Sequence, residues 1–404
     1  MAEGDTGPRP LEGVRVVEMG SLLAGPFCGQ LLADFGAEVI KVEPPGQGDP
    51  MRLWGRHRKE GRTLWWPIIA RNKKSVTLNL REEQGQELAR RLIASADVVV
   101  ENFRPGTLER WGLGYEDLRE TNPGLVMVRV SGYGQTGPYR DQAGFGSIGE
   151  AMGGIRHVTG FPDRPPPRVG ISLGDSLAAT FGALGAVTAL YNRETNGGRG
   201  QIVDVAIYEA VLALMESTIP EYALAGHLRG RTGAILPFVA PSNTYPTKED
   251  DYVVIGANAD TVFGRFAGAV GHPEWAESEQ YATHHARGEN QEELDGMISS
   301  WTGQRTADEV LEAMKEAGVP AGKLFTAEDM LSDEQYAARG SVVEIEDPDI
   351  GPFPMQNVVP RFSETPGEIR WTGPKLGQHN EEVYEKVLGM GEEDLTLLRE
   401  RGIV

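Results

Sequence analysis

The stretch "GISLGDSLAATFGALGAV", residues 170–187, holds a single ionisable side chain, Asp175, among small and apolar residues. A carboxylate in that setting has two uses. It can accept the first free N–H groups of the apolar helix that follows, a cap worth roughly 1 kcal/mol. Ionised and partly desolvated, it can also act as the nucleophile of covalent catalysis. The helix N–H groups and dipole keep it charged in either role. Composition by itself favours the cap.

A second set of candidates is basic: Arg52, Arg56, Arg58 and Lys59, then Arg71, Lys73, Lys74 and Arg81, then Arg104 and Arg110. Most are expected to be solvated surface. Some fall at predicted strand ends, in a chain with 39 Lys and Arg against 59 Asp and Glu, a net charge of −20. Cations at strand ends in so acidic a chain suit a local pocket for a polyphosphate such as coenzyme A. The overall charge argues against nucleic acid or an anionic membrane as partner. Cys28, the lone cysteine, permits no intrachain disulfide, which fits a reducing cytoplasm. It is read as a small buried hydrophobe. His284 and His285 are adjacent in sequence and point apart, so both are assigned to the surface and no metal site is expected.

The elements that must place these groups alternate. "GVRVVEM", "AEVIKVE", "KKSVTLNL", "DVVVENF" and "LVMVRVSGYG" read as strands, and "GPFCGQLLADFG" and "EEQGQELARRLIASA" as helices between them. Val/Ile/Leu runs alternating with amphipathic helices predict an α/β fold with parallel strands buried on both faces. Ligands then collect at the carboxyl ends of the strands, here Met19–Ser21, Glu43, Asn102–Phe103 and Ser131–Gly134. The 404 residues divide into a large α/β part (1–225), a small domain (226–330) after the Gly/Pro-rich "GRTGAILPFVAPSNTYPT", and a C-terminal segment (331–404) returning to the first. The N-terminus lacks the apolar core of a signal peptide. The apolar runs are broken by Gly or charge, so no membrane-spanning helix is expected.

A nicotinamide-binding reading fails at the first loop, "GSLLAGPFCG", which is not G-x-G-x-x-G; Glu43 then says little about a ribose. No phosphate-binding P-loop is present.

Six blocks, "LEGVRVVEMGSLLAGPFCGQLLADFGAEVIKVEPPGQGDPMR", "RNKKSVTLNL", "ADVVVENFRPGTLERWGLGYEDL", "NPGLVMVRVSGYGQTGPY", "GDSLAATFGALGAVTAL" and "GRGQIVDVAIYEAV", together resemble the class III CoA-transferases over nearly the whole chain. The resemblance implies an open, mostly parallel Rossmann-like sheet formed by both chain ends, a smaller inserted α+β domain, and an interlocked homodimer. It implies that Asp175 attacks an acyl-CoA thioester, giving an aspartyl anhydride and then an aspartyl-CoA thioester. It places CoA along Ser21, Leu22, Leu23 and Ala24, with Leu78 and Arg81 near the adenine and Asn102, Phe103 and Arg110 along the pantetheine and phosphates. No permanently bound cofactor is implied; the CoA thioester and a small carboxylic acid are substrates.

Departures narrow the class. Pro44 stands where some members carry a basic residue, Ala143 and Gly146 where formyl-CoA transferases carry a lysine and a glutamate, and "GRTGAILP" replaces their glycine-rich loop. The α-methylacyl-CoA racemases share the aspartate but resemble "AGHD" where this chain has "AGFG", so Phe145 replaces their second acid–base group. A non-catalytic CoA-binding protein, with Asp175 a cap only, is the remaining alternative. The "RPGT" and "GYGQTGPY" blocks resemble members taking succinyl-CoA as donor and dicarboxylic or hydroxy acids as acceptors. A dicarboxylate's free end needs a cation near Asp175, for which Arg71 and Arg168 are the candidates.

Overall fold

The computed structural model describes residues 9–249 and 251–404. Chain contacts divide it into two compact units. The first comprises residues up to Ile155, Val169–Ile219 and Ala338–Val404; the second comprises Arg156–Arg168 and Pro220–Ala337.

The first unit is built on a six-stranded sheet. Its strands are β1 (Arg15–Glu18), β2 (Glu38–Glu43), β3 (Lys73–Thr77), β4 (Val98–Glu101), β5 (Val126–Ser131) and β6 (Ile202–Ala206). The order is β3-β2-β1-β4-β5-β6, every pair parallel. Val16 lies level with Val39 on one side and Val98 on the other, so β-branched residues pack in rows across the sheet. Helices α1 (Ala24–Asp34), α2 (Glu83–Ala94), α3 (Gly146–Met152), α4 (Leu173–Thr195), α5 (Ile207–Leu212), α6 (Asn380–Leu388) and α7 (Glu392–Glu400) are the longer helices of the unit. Leu88 and Leu92 of α2, Val383 and Tyr384 of α6 and Leu398 of α7 cover one face. Cys28 and Leu32 of α1 and the alanines 178, 179, 186 and 189 of α4 cover the other.

The expectation of a sheet formed by both chain ends is corrected: all six strands come from residues 15–206. The C-terminal segment supplies helices and a separate antiparallel hairpin, Val342–Asp347 with Gly351–Gln356. Glu344 and Glu346 alternate outward on that hairpin, and Pro352 and Pro354 carry no N–H. Such a strand cannot enter a parallel sheet buried on both faces.

A second correction concerns α4. It is long and apolar enough, by length and composition, to cross a membrane, with mean hydropathy 1.4 over its best window. Glycines and alanines interrupt its branched apolar runs yet keep the segment hydrophobic. Those same small residues let α4 lie close on the sheet.

The second unit contains an antiparallel sheet in the order Ala321–Lys323, Tyr252–Gly256, Ser242–Pro246. Tyr245, Phe263, Phe266, Leu294, Ile298 and Val310 form its core. Arg287 is fully buried there, donating to the carbonyls of Ala240, Tyr281 and Asn258 and to Asp260 Oδ1 at 2.7 Å. The span 226–330 lies inside this unit, which starts earlier and ends later. His284 and His285 are exposed, as expected.

Candidate active site

The strand order reverses between β1 and β4, and the chain leaves both strands at the same end of the sheet. The loop after β1 is clamped to the loop after β4. Ser21 N–H donates to Asn102 Oδ1 at 2.8 Å, and Asn102 Nδ2 donates to Ser21 O at 2.9 Å. Glycine at residue 20 allows this close approach, because a Cβ there would stand 2.9 Å from Asn102 Oδ1 and 3.1 Å from the Gly25 Cα.

Buried charges fix these loops from below. Lys41 Nζ lies 2.9 Å from Glu18 Oε1 and 2.8 Å from Asp49 Oδ2, and donates to Gly20 O at 2.8 Å. Lys73 Nζ pairs with Glu18 Oε2 at 2.7 Å and donates to Pro26 O at 2.6 Å. Burial opposes the charge on both lysines. On Lys41 the Asp49 and Glu18 carboxylates overcome it and raise the pKa. On Lys73 burial prevails, because Lys73 shares Glu18 with Lys41 and feels the Lys41 charge. Asp49 Oδ1 also accepts the N–H of Leu22, whose φ of 65° is rare for a branched residue. On the other side, Arg129 binds Glu101 at 2.7 Å while Glu101 Oε2 accepts the Phe103 N–H at 2.7 Å. Burial raises the Glu101 pKa despite Arg129.

Two clefts open at these strand ends and share Phe103. The larger, about 570 Å³, runs over the ends of β1 and β2 and the segment after β3, and is lined by Ser21, Leu78, Arg81, Phe103, Trp111 and Gly402, among others. The smaller, about 140 Å³, lies between Asn102–Pro105, Ser131–Gly132 and the segment from Arg140 to Phe145.

Asp175 stands next to the smaller cleft. It is the third residue of α4, and Ser172 occupies the cap position, so Asp175 is not the residue preceding the helix that a cap requires. Its half-buried carboxylate lies against the Cα of Gly146: a Cβ on Gly146 would come within 2.2 Å of Oδ2 and 2.7 Å of Cγ. Phe145, one residue before, lines the cleft. Glu150 of α3, buried, accepts the N–H of Gly174 at 3.3 Å and so helps dock α3 on the first turn of α4.

A dinucleotide fold with phosphate-binding glycines would leave its acid at the end of β2 available to a ribose. Here Glu43 is consumed. It takes Arg52 at 2.7 Å through both oxygens, Ser75 Oγ at 2.6 Å and the Asp49 N–H at 2.9 Å. A sequence model described as CoA-transferase family III matches residues 11–380. The chain belongs to that family. It is 64% identical over 397 residues to the succinyl-CoA--D-citramalate CoA-transferase of Chloroflexus aurantiacus, covering 98% of each chain. It is 43% identical over 397 residues to the succinyl-CoA--L-malate CoA-transferase alpha subunit of Chloroflexus aurantiacus, covering 98% of this chain and 92% of that one. The crystal structure of a CAIB/BAIF family protein from Brucella suis superposes with a TM-score of 0.83 at 35% identity, covering 94% of this chain and 100% of that one.

In this CoA-transferase the residues singled out in the sequence separate into groups. Ser21, Leu78, Arg81 and Phe103 line the larger cleft, and Asn102 lines the smaller one while clamping Ser21. Leu22 and Leu23 instead pack against the cluster of Met51 and Trp66, and Ala24 is buried under the sheet. Arg110, on the short helix Thr107–Arg110, donates to Thr107 Oγ1 at 3.0 Å and lines neither cleft.

Much of the basic set is spoken for. Arg52 stacks on Trp66 at 3.8 Å while paired to Glu43. Arg71 is buried and paired with Asp34 at 2.6 Å, which corrects its candidacy as a cation for Asp175. Arg168 belongs to the second unit. Cys28 is fully buried, and burial, reinforced by Glu18, pushes its thiol up to about 12, so it is inert packing. Among the described residues no three His, Cys, Asp or Glu side chains are grouped to hold a metal. Sequence reasoning missed the Asp175–Gly146 contact, which joins segments distant in sequence.

Proposed function

We propose that the chain moves CoA from succinyl-CoA to a small hydroxy dicarboxylic acid, with Asp175 as the covalent nucleophile and CoA in the larger cleft. The observation that carries the reading is the Asp175 carboxylate, set in the first turn of an apolar helix against Gly146, one residue from a cleft that joins the larger one at Phe103. The two Chloroflexus relatives, named for succinyl-CoA with citramalate and with malate, support the choice of substrates.

In this scheme an Asp175 oxygen adds to the thioester carbonyl, the C–S bond breaks, and CoA leaves as thiolate. The thiolate attacks the aspartyl carbonyl of the resulting mixed anhydride and expels succinate, leaving aspartyl-CoA. The acceptor carboxylate then displaces the thiolate from Asp175, and the thiolate attacks the acceptor acyl carbon, freeing Asp175. Each step exchanges one carboxylate or thiolate for another, so no proton moves and no general base is required. Phe145 beside Asp175 is compatible with that scheme. It is incompatible with α-proton transfer by an opposed pair, which needs a second proton carrier there. Exclusion of water protects the anhydride from hydrolysis.

The proposal extends to two copies of the chain associating through the outer face of α4, where Leu184 is 60% and Tyr191 71% exposed. The cytoplasm is the proposed compartment, on the strength of the lone Cys28. Incubation with succinyl-CoA followed by hydroxylamine is expected to convert Asp175 to its hydroxamate, read by peptide mass, and D175N to give none. An unmodified Asp175, or α-hydrogen exchange with solvent in the absence of an acceptor acid, overturns the reading. Light scattering reading a monomer removes the dimer.

A further inference from the structure

We infer that Asp49, held by Lys41, is a positioning residue for the acyl-CoA: it keeps Leu22 in the left-handed backbone conformation that sets Ser21 in the wall of the larger cleft. This rests on CoA occupying that cleft, as proposed above. Leu22 has a φ of 65°. A side chain of that bulk is strained there, and the conformation persists only where the surroundings impose it. Glu60, which shares the sign of φ, sits in an exposed turn, and Asn72 is of a type that tolerates it. Leu22 has neither reason. Its side chain packs in the cluster of Met51 and Trp66 and is not part of the cleft lining. What serves the cleft at residue 22 is therefore the course of the backbone.

The partners that impose this conformation are in place. The Leu22 N–H donates to Asp49 Oδ1 at 3.1 Å, and the same oxygen accepts the Met51 N–H at 2.9 Å. Asp49 Oδ2 lies 2.8 Å from Lys41 Nζ, which also donates to Gly20 O at 2.8 Å and to Glu18 Oε1 at 2.9 Å. One ion pair thus grips the β1 loop on both sides of Ser21: Lys41 at the carbonyl of residue 20, Asp49 at the N–H of residue 22. The Asp49 N–H donates to Glu43 Oε2 at 2.9 Å, which ties the pair to the end of β2. Both partners are buried, and Gly20, Ser21, Lys41 and Asp49 all line the larger cleft. Burial opposes the Asp49 charge, but Lys41 and the two backbone N–H groups overcome it and hold the carboxyl below its ordinary range. The ionised form is the stronger acceptor for the Leu22 N–H. Released from Asp49, Leu22 returns to a negative φ and Ser21 leaves the wall. The loss then falls on binding of the thioester and not on the reaction at Asp175.

The test is a cycle of D49N and L22G, with kcat and the KM values for succinyl-CoA and malate measured in each variant. Glycine enters the left-handed region without strain, so residue 22 no longer needs Asp49 to stay there. D49N is expected to raise the KM for succinyl-CoA about tenfold in the wild-type background and less than about threefold in the L22G background, with the KM for malate unchanged. An equal factor on the two backgrounds, or a loss carried by kcat or by the malate KM, overturns the inference, since Asp49 then supports the fold alone. L22V leaves the buried charges in place and decides the question if thermal melts show D49N unfolded. A β-branched residue resists the left-handed region more than leucine does, so L22V should raise the KM for succinyl-CoA roughly threefold, and an unchanged KM overturns the inference. R81Q separates this claim from the placement of CoA, because Arg81 lines the same cleft without touching the ion pair. An unchanged KM for succinyl-CoA in R81Q sinks the placement. A raised KM there, with equal D49N factors on both backgrounds, sinks the role of Asp49 alone.

Discussion

The Asp175 carboxylate and the Cα of Gly146 are in contact, so closely that the smallest side chain at 146 would sit 2.2 Å from an Asp175 oxygen. Residue 146 begins α3 and residue 175 lies in the first turn of α4, so glycine is what lets these two helices meet at the carboxylate. The backbone at 146 does not need glycine's left-handed region, since its φ is not positive.

Gly146→Ala is therefore expected to fold while displacing the Asp175 side chain. A displacement near 1 Å costs on the order of a hundredfold in rate. Transferase kcat should fall by about that factor with a small change in Tm. Retention of wild-type kcat would show that the carboxylate does not react from this position.

Asn102→Ala removes both bonds that tie the β1 loop to β4. Each is worth about 1 kcal/mol. Since Ser21 lines the larger cleft, the KM for succinyl-CoA is expected to rise about tenfold, with a smaller change in kcat. Steady-state kinetics at saturating acceptor reads this, and an unaltered KM rejects the clamp.

Lys73→Met leaves Glu18, fully buried, with Lys41 as its single cation. Breaking a buried pair from one side costs about 3–5 kcal/mol, and replacing both partners by apolar groups costs less. The expected outcome is a lower denaturant midpoint for K73M and partial recovery in K73M/E18L, read as a double-mutant cycle.

His379 docks the C-terminal segment on edge strand β3, its Nδ1 accepting the Ser75 N–H at 3.1 Å. Burial pushes its pKa below the ordinary 6.5, Lys74 adding to this while Glu382 opposes. The unfolded chain thus binds the proton more readily than the folded one. The contribution of His379 is present in full above pH 6.5, declines as the pH falls below that value, and is lost beneath the native pKa. Tm measured from pH 7.5 to 5.5 should drop, and His379→Gln should flatten the slope; an unchanged slope contradicts the assignment.

Opposite signs on two neighbouring buried lysines illustrate how much of the framework lies in pairings rather than in residue types. Lys41 and Lys73 sit one strand apart and share Glu18, but Asp49 reaches only Lys41 closely enough to form an ion pair. Nothing in the spacing of "KVEPPGQGD" announces that Asp49 folds back over β2.

The sequence by itself determined the parallel α/β sheet, because its strands are buried on both faces and their Val and Ile runs say so locally. It marked the carboxyl ends of those strands as the place where a ligand is expected, and two clefts open there. It also marked Asp175 as an acid with two possible roles. Only the tertiary structure decided which cations are available, because an arginine's pairing depends on elements far away in the chain. Arg71 is neutralised by Asp34, whereas Arg104 and Arg140, from segments more than thirty residues apart, line one cleft. The same holds for Gly146, whose lack of a side chain acquires meaning when α4 brings a carboxylate against it. Periodicity encodes what each element buries; which loops then face one another is set by how the buried faces pack.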